Sequence, residues 1–140
     1  YKRQDNTLAG ILLTGTQLKD YLEYSAKYFK QVEDGATVNA APASEGGDTQ
    51  ADYQGKPVWD YNYDAVTGIR YSIDISQPVG KRILGLSWQG RPIDGDQDFV
   101  LAINSYRMSG GGTTRTSPKL RLSGTRASRS ANCSSTLPRR

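Results

Sequence analysis

The chain has no histidine, one cysteine and one methionine in 140 residues. Without histidine it lacks the commonest metal ligand and the commonest general base near neutral pH, which argues against a self-contained zinc enzyme or a Ser-His-Asp hydrolase. A lone cysteine, Cys133, provides no disulfide framework. No stretch approaches the roughly 20 apolar residues that a membrane-spanning helix needs. The start lacks the charged-then-apolar pattern of a signal peptide. Instead Tyr1-Lys2-Arg3 runs almost directly into an apolar segment without an initiator methionine, as an excised piece would. The length suits one domain with a modest core rather than separate catalytic and substrate domains.

Acidic groups are missing from one end. Seven of the 18 Lys and Arg residues and none of the 14 Asp and Glu residues lie in 113–140, leaving 11 basic against 14 acidic groups, net −3, on residues 1–112. The overall charge of +4 is therefore a property of the tail. Residues 113–140 also lack apolar periodicity, which leaves three readings: a disordered basic tail, a nucleic-acid-binding arm, or a stretch translated in a shifted frame. A one-base shift from Thr113 can spell a strand followed by an amphipathic helix, and the coding DNA decides between these readings.

The remainder is patterned. Leu8 to Leu13 is an apolar run that fits a buried strand. Thr14 and Gln17 have capping-box spacing, and Leu18, Leu22, Ser25 and Phe29 share one helical face, predicting an amphipathic helix over 16–30. From Gly35 to Pro57 large aliphatic residues are almost absent, so a long mobile surface loop is expected. Tyr71, Ile73 and Ile75 alternate with polar residues, Arg82 to Trp88 reads as a further strand, Gln89-Gly90-Arg91-Pro92 as a turn, and Phe99 to Ile103 as a last strand. Trp59 closes the polar loop in this reading and buries its ring against the sheet. Tyr63-Asp64 and Gly68 read as an aromatic anchor and a strand-entry turn. One early helix followed by strands indicates an α+β class.

Asn104-Ser105-Tyr106-Arg107-Met108-Ser109-Gly110-Gly111-Gly112 follows the last strand. Its glycines let backbone approach a ligand closely while a neighbouring aromatic presents its face to a flat ring. Together with Asn6-Thr7-Leu8, Leu13-Thr14-Gly15, Leu18 to Glu23, Tyr63 to Asp74 and Gln77 to Ile83, this segment resembles the C-terminal domain of 5'-nucleotidases over about residues 4 to 112. Within that family the Tyr-Arg and triple-Gly form resembles the bifunctional 2',3'-cyclic-nucleotide 2'-phosphodiesterase/3'-nucleotidases.

The resemblance implies an α+β domain with a mixed sheet over 1–112, whose role is to hold the nucleoside or nucleotide. The partner it implies is an N-terminal metallophosphoesterase domain of the same protein, carrying two divalent metal ions; no cofactor is expected in this domain. It also implies an extracytoplasmic location, in the periplasm, at the cell wall or secreted. Tyr106 matches one of two rings that sandwich the base; the other ring falls just before Asn6-Thr7, where Tyr1 is the nearest aromatic. Gly112 stands where the 5'-nucleotidase branch has a ribose-binding Asp, and Asn104, Ser109 and the backbone of Gly110, Gly111 and Gly112 are the remaining candidate contacts. The substrate would be a 3'-nucleotide or a 2',3'-cyclic nucleotide, with a 5'-nucleotide as the alternative, and this piece alone would cut nothing. Competing readings are a non-catalytic wall-associated module and a nucleic-acid-binding module, although no specific nucleic acid is implied.

Overall fold

A computed structural model describes residues 7–52 and 54–108. Strand β1 (Leu8–Thr14) leads into helix α1 (Gly15–Ala26), and after a long loop come β2 (Arg70–Ile73), β3 (Ile83–Trp88), β4 (Arg91–Pro92), β5 (Asp98–Asn104) and the single turn α2 (Ser105–Met108). The strands form two antiparallel sheets, β1-β5 and β2-β3-β4. The α+β class holds. Where one mixed sheet was expected, the only parallel contact among the described residues is the isolated bridge between Pro42 and Thr49.

The capping box forms as its spacing requires. Thr14 Oγ1 accepts from the Gln17 amide at 3.3 Å, and Gln17 Oε1 accepts from the Thr14 amide at 2.9 Å. The turn from β1 into α1 is tight, with the Gly15 amide donating to Gln97 O at 2.8 Å. A Cβ at Gly15 would lie 2.1 Å from Asp94 O, so only glycine fits there.

The helix ends at Ala26 rather than continuing to residue 30. Where it ends the chain takes partners from outside: Arg82 Nη1 donates to Ala26 O and Phe29 O at 2.8 and 2.7 Å, while Lys30 N donates to Asp48 O at 2.8 Å. These partners turn the chain after one fewer helical turn than the apolar face allows. Tyr28 and Phe29 then pack with Tyr63, their ring centroids 5.0 to 5.4 Å apart.

Helix α1 lies between the two sheets. Leu18 packs with Ile11 and Leu13 under the β1-β5 pair, whereas Leu22 and Ala26 pack with Ile83 under the other sheet, and Ile69 touches both clusters. The apolar run of β1 is not buried on both faces, contrary to its reading as a buried strand. Ile11 and Leu13 face α1, but Leu12 and its cross-strand partner Val100 are 68% and 74% exposed, because the single helix covers one face only.

The segment from Gly35 to Pro57 is a hydrogen-bonded loop rather than the loose excursion its composition suggests. Ala43 N donates to Thr49 O at 2.7 Å, Asp48 N to Asn39 O at 2.8 Å and Ala51 N to Tyr28 O at 3.0 Å. Backbone pairing here replaces the apolar anchors the composition lacks. Val58 is buried at the end of this loop, and Trp59 is not: at 49% exposure its ring does not close the loop over the sheet. The aromatic packing nearby is instead among Tyr28, Phe29 and Tyr63. Between β3 and β4, Gln89 and Gly90 both have positive φ, as a two-residue hairpin of the primed type needs.

Candidate functional site

β5 delivers the Tyr106 segment to the edge of the molecule. Asn104, its last residue, caps α2: Asn104 Oδ1 accepts from the Arg107 amide at 2.7 Å. Thr7 holds the same corner, with Ser105 N donating to Thr7 O at 2.8 Å and Thr7 N donating to Ser105 Oγ at 3.2 Å. Tyr106 stands on this turn with 48% of its surface exposed.

Arg107 reaches across to the segment before β2. Its Nη2 lies 3.1 Å from Asp64 Oδ1 and also donates to the Tyr61 carbonyl, while Nη1 donates to Asn62 Oδ1 at 3.5 Å. Asp64 is in turn fixed by α1. Tyr21 Oη donates to Asp64 Oδ2 at 2.8 Å, and Ser25 Oγ both accepts from Asp64 N and donates to Asp64 O at 2.7 Å. Tyr21 and Ser25 are four residues apart, so a single helical face presents both hydroxyls. Burial, followed by the bond to Asp64, pushes the Tyr21 phenol well above its ordinary range.

A cavity of about 490 Å³ adjoins this network, lined by Tyr21, residues 64–67, residues 100–104 of β5 and Arg107. Residues from both faces of β5 line it, so it runs along the strand's edge. The bonds Ser105 N to Thr7 O and Gly15 N to Gln97 O fix the ladder's parity. Odd-numbered residues of β5 therefore exchange the hydrogen bonds with β1, and the main-chain groups of Val100, Ala102 and Asn104 point away from it.

The candidate residues are thus only partly brought together. Asn104 lines the cavity and spends its side-chain oxygen on the cap, whereas Tyr106 sits on the next turn and is not among the lining residues. Tyr1, Ser109, Gly110, Gly111, Gly112 and the tail 113–140 lie outside the described residues. From sequence, Asp64 with Tyr63 and Gly68 reads as an aromatic anchor and a strand-entry turn, and nothing assigns a site role to Arg107 or Tyr21. A signal existed for one contact: Ser25 is a polar residue on an otherwise apolar helical face, and it is buried against the Asp64 backbone.

Among the described residues there is no group of three or more His, Cys, Asp or Glu that could hold a metal ion. No described helix is long and apolar enough to cross a membrane.

Comparison with known proteins agrees with the residue blocks. Residues 3–117 match the family described as 5'-nucleotidase, C-terminal domain. The trifunctional nucleotide phosphoesterase protein YfkN of Bacillus subtilis is 37% identical over 120 residues, covering 77% of this chain and 8% of that protein. A 2',3'-cyclic-nucleotide 2'-phosphodiesterase/3'-nucleotidase of Haemophilus influenzae is 32% identical over 117 residues, covering 75% of this chain and 16% of its own length. Among solved structures, a Staphylococcus aureus protein described as a 5'-nucleotidase, in complex with alpha-ketoglutarate, superposes with a TM-score of 0.57 at 32% identity, over 76% of this chain and 19% of that one. The chain therefore spans a small part of the length of these relatives, and it belongs to the 5'-nucleotidase C-terminal domain family.

Proposed function

We propose that this chain is the part of a nucleotidase or cyclic phosphodiesterase that grips the nucleoside, and that Tyr106 is a ring on which the base stacks. The observation that carries this reading is the half-exposed Tyr106 on a short turn tethered by Arg107 to Asp64, within a domain of this family. A tethered, half-exposed ring offers a flat apolar face at little ordering cost, which suits a purine or pyrimidine. In the whole protein a metallophosphoesterase domain with two divalent metals would supply the hydrolytic water and clamp the phosphate; this chain contributes the base and sugar contacts. A 3'-nucleotide or 2',3'-cyclic nucleotide is the proposed substrate, and the proposed location is outside the cytoplasm. Residues 1–112 form the binding domain in this reading, with 113–140 a separate basic tail.

Equilibrium dialysis of adenosine against the 140-residue chain tests the proposal. Saturable binding is expected, and Tyr106→Ala should weaken it about tenfold, the loss of a base–aromatic contact worth ~1.4 kcal/mol. Unchanged affinity in Tyr106→Ala would remove Tyr106 from the site. The same chain should hydrolyse no 3'-AMP with or without added divalent metal, and turnover would contradict the division of labour.

A further inference from the structure

Helix α2 is four residues long, too short to hold its own shape in water. It is anchored by the Asn104 cap, the paired bonds between Ser105 and Thr7, and the Arg107 side chain. The first two fix the backbone where the strand ends. Arg107 alone of the three reaches another layer of the molecule, and it is the immediate neighbour of Tyr106.

The guanidinium engages acceptors on three residues: the Tyr61 carbonyl, Asn62 Oδ1 and Asp64 Oδ1. A planar fork with donors spread over three nitrogens spans such a set; a lysine ammonium, whose three donors radiate from one nitrogen, does not reproduce that spacing. Asp64 is an immobile target, because Tyr21 bonds its other carboxylate oxygen and Ser25 bonds its backbone on both sides. Tyr21 and Ser25 belong to α1, whose neighbouring residues Leu18, Leu22 and Ala26 are part of the core of the molecule. A continuous run of hydrogen bonds therefore connects the buried helix to the turn that carries Tyr106.

We propose that Tyr21, Asp64 and Arg107 are positioning residues for nucleoside binding, setting the place of the Tyr106 ring from helix α1 without touching the base themselves. The proposal rests on Tyr106 being the stacking ring. It assigns function to an ion pair that could otherwise serve as a surface strut. A strut adds the same stability whatever ligand is present; a positioning relay matters to the ligand only through Tyr106.

That difference can be measured with a double-mutant cycle on adenosine affinity, using the full chain. Arg107→Lys should weaken binding about fivefold in the parent, and by less than twofold in a Tyr106→Ala background. Its effect on the midpoint of thermal unfolding should be the same in both backgrounds. In the ligand-free chain, Arg107→Lys should also shift the ring NMR signals of Tyr106. Should Arg107→Lys fold poorly, Tyr21→Phe removes only the hydroxyl that holds Asp64; a loss of about twofold is expected, again disappearing when Tyr106 is alanine. A full-size loss in the Tyr106→Ala background, or no loss in the parent, would overturn the relay while leaving the stacking role intact. If Tyr106→Ala itself binds adenosine as well as the parent, the stacking role fails first, and the relay has nothing to position.

Discussion

Two arginine–carboxylate clusters flank helix α1, and they are built on opposite principles. At one, Glu23 accepts from the amides of Ile83, Arg82 and Gly80 at 2.7, 2.9 and 3.1 Å, while Arg82 donates to the carbonyls of Ala26, Phe29 and Gln77. Every partner is main chain. Arg82 is 1% exposed, and burial lowers its pKa from the ordinary value. At the other, Asp64, Arg107 and Tyr21 bond chiefly side chain to side chain beside an open cavity. The first cluster splices loop ends to a helix end and holds the architecture. The second leaves its groups beside solvent and holds one turn, which is the arrangement expected of a part that must meet a ligand.

The comparison predicts a separation of effects. Arg82→Met leaves the Glu23 carboxylate buried without its neighbouring cation and takes the guanidinium donor from the carbonyls of Ala26, Phe29 and Gln77, so unfolding free energy should fall by about 3–5 kcal/mol in urea denaturation. What survives folded should still bind adenosine. Leu22→Ala opens a cavity under the β2-β3-β4 sheet and should cost about 3 kcal/mol by the same measurement, again without a specific binding defect. Asp64→Asn keeps the shape and removes the charge facing Arg107. Because that pair is partly exposed, its stability cost should be only about 1 kcal/mol, yet adenosine affinity should fall several-fold.

The smallest effect is in alkaline pH. Tyr21 holds its proton more tightly in the fold than in the unfolded chain, so its contribution is complete below an ordinary phenol's pKa of about 10 and is lost as pH rises beyond it. Burial also raises Tyr28 and Tyr63. Tyr21→Phe should therefore reduce, without abolishing, the fall in melting temperature above that pH.

The features that were legible in the sequence are local ones. The Thr14-Gln17 capping box, the helical face through Leu18 and Leu22, and the Gln89-Gly90 turn depend on residues a few positions apart, and they appear where the spacing puts them. The features that were not legible depend on distant partners. Helix α1 ends at Ala26, where Arg82 arrives from far along the chain to bond the Ala26 and Phe29 carbonyls, and Trp59 stays half exposed while Tyr28, Phe29 and Tyr63 pack with one another. Asp64 read as turn chemistry for the same reason: its acidic side chain gains meaning only when Tyr21 and Arg107 come to it from elements far along the chain. The Tyr106 segment itself was legible as a family motif, but the tether that would give its ring a fixed direction was not.

The most direct test of nucleoside gripping is a titration of adenosine into the isotopically labelled chain, following the ring signals of Tyr106. We expect saturable shifts at Tyr106 and its turn, with the Glu23–Arg82 region unchanged. Shifts absent from Tyr106 at concentrations that saturate binding elsewhere, or no saturable binding, would contradict the account.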